Sequence, residues 1–323
     1  MNKAIVISEF GGPEVLEYVE HPVGEPGRDE IRVRHTRIAL NFIDVYHRTG
    51  LYPNKLPFVP GVAAVGLVEE LGEGVTSTKI GDRITYFQPI GSYTQSRIMP
   101  ARTAIPVPDN IDDDTAAAVY SKGMTARYLI KDTWAVKPGD TLLFHAAAGG
   151  VGQLACSWAK SLGATVIGTV GSEEKVDIAR KNGCDHVINL GVEDFVAQVK
   201  EITSGRGVDV VYDSIGRDTF ERSLACLRPR GLMVSFGNAS GPVAVPSLGI
   251  LATSGSLFLT RPTLAHYFAD RKSELAGAKD VFDALAAGKI RAHIGQTYAL
   301  EDAREAHKAL ENRQTVGATN LVP

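Results

Sequence analysis

Residues 140–175 read DTLLFHAAAGGVGQLACSWAKSLGATVIGTVGSEEK: an apolar run, a cluster of small residues, an amphipathic stretch and a second apolar run. Ala147, Gly149 and Gly152 have the spacing of the dinucleotide-binding fingerprint, with its first glycine replaced by alanine. Ala147 and Gly149 permit a tight turn and let the backbone approach a pyrophosphate, while Gly152 lets the following helix pack closely on the first strand. With Gly150 and Val151 they open a helix whose free N–H groups and dipole suit phosphate oxygens. The same small residues would also serve a tight connection that holds nothing. The strand before, the helix after and the second strand beyond argue for the ligand.

The tip of the second strand bears on which dinucleotide. An NAD ribose diol calls for Asp or Glu there. Here Gly171 and Ser172 stand at the tip, leaving room for a 2′-phosphate that Ser172 and Lys175 can bind. Glu173 and Glu174 keep a second reading open: either one slips back to hold a diol, or both are first-turn acids favoured by the helix dipole. The residue types favour NADPH.

These residues must be positioned by a chain of 323 residues, long enough for two domains. With 44% hydrophobic and 22% charged residues it has the composition of a soluble globular protein, and a net charge of −3 gives no support to nucleic-acid or membrane binding. Cys156, Cys184 and Cys226 are an odd, sparse set that does not make a disulfide framework, which fits a reducing, cytoplasmic setting. Up to Lys122 the chain reads as short β runs (KAIVI, EIRVRHTRIAL, AAVGLVEELG, DRITYF) broken by Gly and Pro, the pattern of a small barrel. From 123 to 260 strands alternate with helices at 150–162, 173–182, 193–203 and 218–227, which predicts a doubly wound parallel sheet of Rossmann type. Helices at 270–287 and 301–312 and a last run, ATNLV, are expected to rejoin the first domain. The expected division is 1–122, completed by 261–323, and 123–260. In this α/β arrangement Phe236, Gly237, Asn238 and Arg261 follow strands and fall at the carboxyl edge of the sheet, where ligands bind.

The stretch GDTLLFHAAAGGVGQLACSWAK resembles the signature of the zeta-crystallin-type quinone oxidoreductases, zinc-free members of the medium-chain dehydrogenase/reductase superfamily. The likeness continues through GGPEVLE, NFIDVYHRTGLYP, IGDRITYF, VDVVYDSIGRDTFERSLACLRPRGLMVSFGNASG, GSLFLTRPTL and the terminal NLVP, and so covers nearly the whole chain. It implies a GroES-like first domain, an NADPH-binding Rossmann domain and a homodimer. Zinc alcohol dehydrogenases of the superfamily carry His and Glu where Val62 and Ala63 stand here, and no cysteine precedes Cys156. His21, His35 and His47 form no paired ligand spacing. No metal is expected. Without a Lewis acid the substrate must accept hydride unaided, which suits a quinone or enone better than a simple ketone.

The resemblance also implies roles. It brings NFID near the nicotinamide, pointing to Asn41 as a ligand of the ribose or carboxamide, to Tyr46 as a donor to a quinone oxygen, and less directly to Asp44 and Tyr52. Lys122 and Thr125 approach the nicotinamide ribose and phosphates, or else form a helix N-terminal pair on a solvated face. Arg261 faces quinone or cofactor, or pairs with a carboxylate. Arg313 meets the cofactor phosphate. Relatives place a Tyr where Leu190 stands, so the adenine side loses a stacking partner here. His145 reads as strand packing, and Cys156 as helix core. The function implied is hydride transfer from NADPH to a small quinone. The rivals are an NADPH-dependent enone or enoyl reductase, and a non-catalytic NADPH-binding protein of crystallin-like or RNA-binding type.

Overall fold

Alternating apolar residues build the first unit. In the computed structural model, which describes residues 1–323, the chain divides into one unit of Met1–Ser121 with Ala292–Pro323 and a second of Lys122–Arg291. Strands β1 (Lys3–Val6) and β2 (Glu17–Glu20) form an antiparallel pair. The long strand β3 (Glu30–Leu40) turns Ile31 and Val33 fully inward with a period of two, and an irregularity between His35 and Arg37 brings Ile38 inward as well. A single polar residue, Asn41, separates it from the helix α1 (Phe42–Arg48). There follow β4 (Ala63–Leu71), β5 (Arg83–Phe87), β6 (Ser96–Pro100) and β7 (Ile105–Pro106). The core of this unit gathers Ile5, Ile31, Val33, Ile38, Ala64 and Ile84.

A helix the β-rich reading did not anticipate, α2 (Asp113–Tyr128), carries the boundary within it. Its three alanines, Ala116, Ala117 and Ala118, are strong helix formers, and Asp112 accepts from Thr115 N at 2.7 Å ahead of the first turn.

The second unit alternates β8 (Thr141–Phe144), α3 (Gly150–Ser161), β9 (Thr165–Val170), α4 (Val176–Lys181), β10 (His186–Asn189), α5 (Phe195–Ile202), β11 (Val208–Asp213), α6 (Phe220–Leu224), β12 (Leu227–Ser235), α7 (Gly249–Thr253) and β13 (Phe258–Thr260). The six strands are parallel, in the order β10-β9-β8-β11-β12-β13. Every residue of β11 is buried, because helices cover both faces. The order reverses between β8 and β11, and the carboxyl ends of those strands bracket the place where doubly wound sheets bind ligands.

The helices α8 (Leu264–Tyr267) and α9 (Arg271–Ala286) correct the expected division, since residues 261–291 pack with the second unit. Asp280 on α9 accepts from Arg127 Nε at 3.1 Å and Lys131 Nζ at 3.0 Å, and Ser157 Oγ on α3 donates to Lys289 O at 2.6 Å. Nothing in the local pattern of α9 announces these partners. The chain then returns to the first unit as β14 (Ile294–Ala299), α10 (Ala303–Glu311) and β15 (Ala318–Val322). β15 pairs antiparallel with the end of β3, giving the sheet order β14-β15-β3-β4-β5-β7, and β6 pairs with the start of β3 on the same edge as β15, opposite β4.

Candidate functional site

In the second unit the small-residue turn lies between β8 and α3. Ala146 takes a left-handed conformation (φ 55°), and Gly149 N donates back to Ala146 O at 2.9 Å. A Cβ on Gly152 would lie 2.3 Å from Ala146 O and 2.8 Å from Ala147 Cα, so only glycine permits this approach of helix to turn. Gly168 on β9 does a matching job that the sequence reading missed: a Cβ there would lie 2.7 Å from Ala147 Cβ. Its signal was a glycine inside a strand, the usual mark of a close approach. Gly150 and Val151 form the first turn of α3, as expected.

Beneath the turn, His145 does more than pack. Its Nδ1 lies 2.9 Å from Thr169 Oγ1 and its Nε2 lies 2.9 Å from Ser223 Oγ. Ser223 Oγ and Thr219 Oγ1 donate to Asp213 Oδ2 at 3.3 and 2.7 Å, and Ile215 N and Gly216 N donate to Asp213 Oδ1 at 2.8 and 3.0 Å. Burial pushes the imidazole pKa down, so the ring is neutral. The ends of β8, β9 and β11 are thereby tied together under the turn.

At the tip of β9, a Cβ on Gly171 would meet nothing within 4 Å, and Ser172 Oγ is buried without a partner. Glu173 Oε2 instead accepts from Asn189 Nδ2 at 3.2 Å. Open space and an unused hydroxyl beside a pinned carboxylate fit a phosphate better than a diol. The residues therefore fit NADPH. Lys175 closes the short turn Glu173–Lys175 ahead of α4, and Leu190, half-buried, donates its N–H to Val170 O at 2.9 Å.

At the end of β12, the Phe236 ring packs on Phe144 with centroids 5.7 Å apart. Gly237 is buried behind it. The exposed Arg261 donates from Nη1 to Ser235 O at 2.9 Å, and with the Asn238 amide turned to satisfy its hydrogen bonds, its Nη2 donates to the Asn238 side-chain oxygen at 3.1 Å. The structure thus brings Phe236, Gly237, Asn238 and Arg261 to one sheet edge. Lys122 and Thr125 lie inside α2, and Lys122 is buried, so they are not a solvated helix N-terminus. The burial of Cys156 pushes its thiol pKa well up, in keeping with a core residue.

In the first unit, Asn41 N donates to Asp44 Oδ2 at 2.9 Å at the start of α1. The Asn41 amide donates to Ala39 O at 3.0 Å and accepts from Ser121 Oγ at 3.2 Å. Tyr46 is buried, with the Phe42 ring 5.5 Å and the Tyr52 ring 5.2 Å away. Asn41 is thus paired with Asp44, and Tyr46 with Tyr52, on or beside the same short helix. Arg313 follows α10 in a left-handed conformation (φ 60°) and is exposed, in this first unit. Val62 and Ala63 are buried. His35 donates from Nδ1 to Thr94 O at 2.7 Å and accepts at Nε2 from Tyr86 OH at 2.9 Å, so neither nitrogen is left for a metal. No three His, Cys, Asp or Glu side chains converge on a point that could hold a metal ion.

Fold and turn define a two-domain, dinucleotide-binding dehydrogenase/reductase. Residues 27–109 match the alcohol dehydrogenase GroES-like domain family and residues 150–283 the zinc-binding dehydrogenase family. The chain is 48% identical to a quinone oxidoreductase of Pseudomonas aeruginosa over 100% of both chains. It is 48% identical to a 2-haloacrylate reductase of a Burkholderia species over 100% of this chain and 99% of the relative. The crystal structure of Escherichia coli quinone oxidoreductase complexed with NADPH superposes with a TM-score of 0.97 at 47% identity, covering 99% of this chain and 100% of that one. The chain belongs to the quinone oxidoreductase branch of the medium-chain dehydrogenase/reductase superfamily.

Proposed function

We propose that this protein is an NADPH-dependent quinone reductase that works without a metal. The observation that carries the reading is the tip of β9, where Gly171 leaves open space, Ser172 Oγ is buried and unused, and Glu173 is engaged by Asn189. Gly149, Gly150, Val151 and Gly152 would hold the pyrophosphate, Ser172 and Lys175 the 2′-phosphate, and Phe236, Gly237 and Asn238 the nicotinamide side. Lys122, Thr125 and Arg313 add contacts to the cofactor. When bound, NADPH supplies a hydride. Tyr46, Asn41 and Arg261 serve the quinone by orienting it and donating hydrogen bonds to the oxygen on which charge develops. The quinone takes up a hydride and a proton and leaves as the hydroquinone. Its conjugation spreads the negative charge, so a site with buried Val62 and Ala63 in place of metal ligands suffices.

A second reading, reduction of an activated C=C bond, is favoured by the 48% identity to a 2-haloacrylate reductase. Stopped-flow traces of NADPH absorbance across a panel of quinones and enones separate the two. Rapid oxidation with benzoquinones supports the first reading, and oxidation with enones alone supports the second.

A homodimer fits the open edge of the parallel sheet, where β13 carries Phe258, 61% exposed. No helix is long and apolar enough to cross a membrane. The three cysteines are unpaired and buried, which suits a reducing cytoplasm.

A further inference from the structure

We propose that Tyr93 and His307 are positioning residues for α1, the helix that Asn41 caps and that carries Tyr46, through a one-way hydrogen-bond chain running from Arg48 to Asp44. The proposal rests on the reading of Asn41 and Tyr46 as substrate residues.

The chain begins at Arg48, on the last turn of α1, with its side chain 1% exposed. Its Nη1 and Nη2 donate to Glu311 Oε2 and Oε1 at 2.8 and 2.7 Å, and its Nε donates to Gly11 O at 3.1 Å. Nη1 also lies 3.2 Å from His307 Nδ1. A guanidinium can only donate, so His307 Nδ1 must accept, and the one proton of the neutral ring sits on Nε2. His307 Nε2 lies 3.0 Å from Tyr93 OH and therefore donates to it. The phenol proton then goes to Asp44 Oδ2 at 3.1 Å, which also takes the Asn41 backbone N–H at 2.9 Å. Every donor points the same way.

The neutrality of the middle links follows from their surroundings. Burial, and then the charge of Arg48, hold the His307 pKa down to about 3. Burial, and then the nearby Asp44, push the Tyr93 phenol well above its ordinary value. A guanidinium and a carboxyl group are thus bridged by two neutral, fully buried groups. Arg48 does not release its proton, so the arrangement is not a proton wire. What it does is mechanical. Asp44 lies in the first turn of α1 and Arg48 in the last, and both are tied to α10 or to Tyr93. A helix this short has little stability of its own. Its direction, and with it the placement of Asn41 and Tyr46, is set by these ties.

The test compares Tyr93→Phe, His307→Gln and His307→Leu with the unmutated protein. Glutamine offers both an acceptor and a donor, so it can restore the direction of the chain, whereas leucine cannot. For Tyr93→Phe and His307→Leu, kcat toward a benzoquinone should fall about 10-fold, with the Kd for NADPH, from fluorescence titration, within about twofold of the unmutated value. His307→Gln should recover to within about threefold. Nitrogen-15 NMR at pH 7 should show His307 as the neutral Nε2–H tautomer. A Tyr93→Phe rate within twofold of the parent, or equal losses for Gln and Leu, overturns the proposal, as does an Nδ1–H tautomer. If the unmutated protein reduces no quinone, the functional reading fails on its own, and the tautomer still decides whether the chain exists.

Discussion

Asn189 Nδ2 donates to Glu173 Oε2 at 3.2 Å, joining the end of β10 to the tip of β9. The carboxylate two residues beyond Gly171 is thereby directed to a protein amide. The unmutated protein should use NADPH in preference to NADH, as measured by the ratio of kcat/KM values. Lys175→Ala should weaken NADPH selectively, by about 1–3 kcal/mol, as expected for a charge-assisted contact. Asn189→Leu, which releases Glu173, should narrow the preference. Equal kcat/KM for both cofactors in the unmutated protein would count against the reading.

Gly152→Ala places a methyl group 2.3 Å from Ala146 O. Backbone, not a flexible side chain, must move, at a cost of about 1–3 kcal/mol. NADPH affinity should fall with stability, because the displaced atoms belong to the phosphate turn. Urea denaturation and fluorescence titration measure the two effects. An Ala variant that binds NADPH as tightly as the parent contradicts the role given to this close approach.

Stability should fall on mild acidification. Burial, with Arg97 as a lesser cause, holds the His35 pKa down to about 3, and His307 is held at about 3 as well. Both values lie below the unfolded value of 6.5, so the unfolded chain binds the extra protons. The stability these groups contribute is present above pH 6.5 and lost as the pH falls toward 3. Each adds a slope of about 1.4 kcal/mol per pH unit within that window. Urea titrations at several pH values between 7 and 5 should show the effect. His35→Gln should lower stability at neutral pH yet flatten the slope by roughly that amount.

The purified protein should contain no stoichiometric zinc, and a chelator should leave its rate unchanged. Val62 and Ala63 are buried where ligands would be needed, and both nitrogens of His35 are engaged. Elemental analysis near one zinc per chain, with activity lost to a chelator and restored by zinc, would refute this.

Small quinones should be reduced much faster than simple ketones. An isolated carbonyl concentrates the negative charge on one oxygen, and losing a single oxyanion donor costs about 2.7–4 kcal/mol of barrier. Tyr46→Phe should slow quinone reduction by no more than about 10²-fold, the weak end for a positioned proton donor. A ketone turned over as fast as a benzoquinone would overturn the first statement. A Tyr46→Phe protein that binds NADPH but reduces no quinone would overturn the second.

Local sterics and periodicity made much of this protein legible from its sequence. The alternation of strands and helices, the turn at Ala147, Gly149 and Gly152 and the open tip at Gly171 are properties of neighbouring residues. Such signals survive without knowledge of the fold, because a tight turn or a strand period depends on atoms a few residues apart. What the fold alone decided depends on partners far off in the chain. Glu173 could be either a diol ligand or a first-turn acid until Asn189 was beside it. His145 read as packing until Ser223, 78 residues on, met its ring. Residues 261–291 read as part of the first domain until Asp280 met Arg127 and Lys131. Arg48 and His307 are 259 residues apart, and no local pattern announces their contact. A buried polar group carries no sequence period of its own, since its partner is chosen by where the chain returns. The tertiary structure therefore decided the wiring of the site, while the residue types had already set its chemistry.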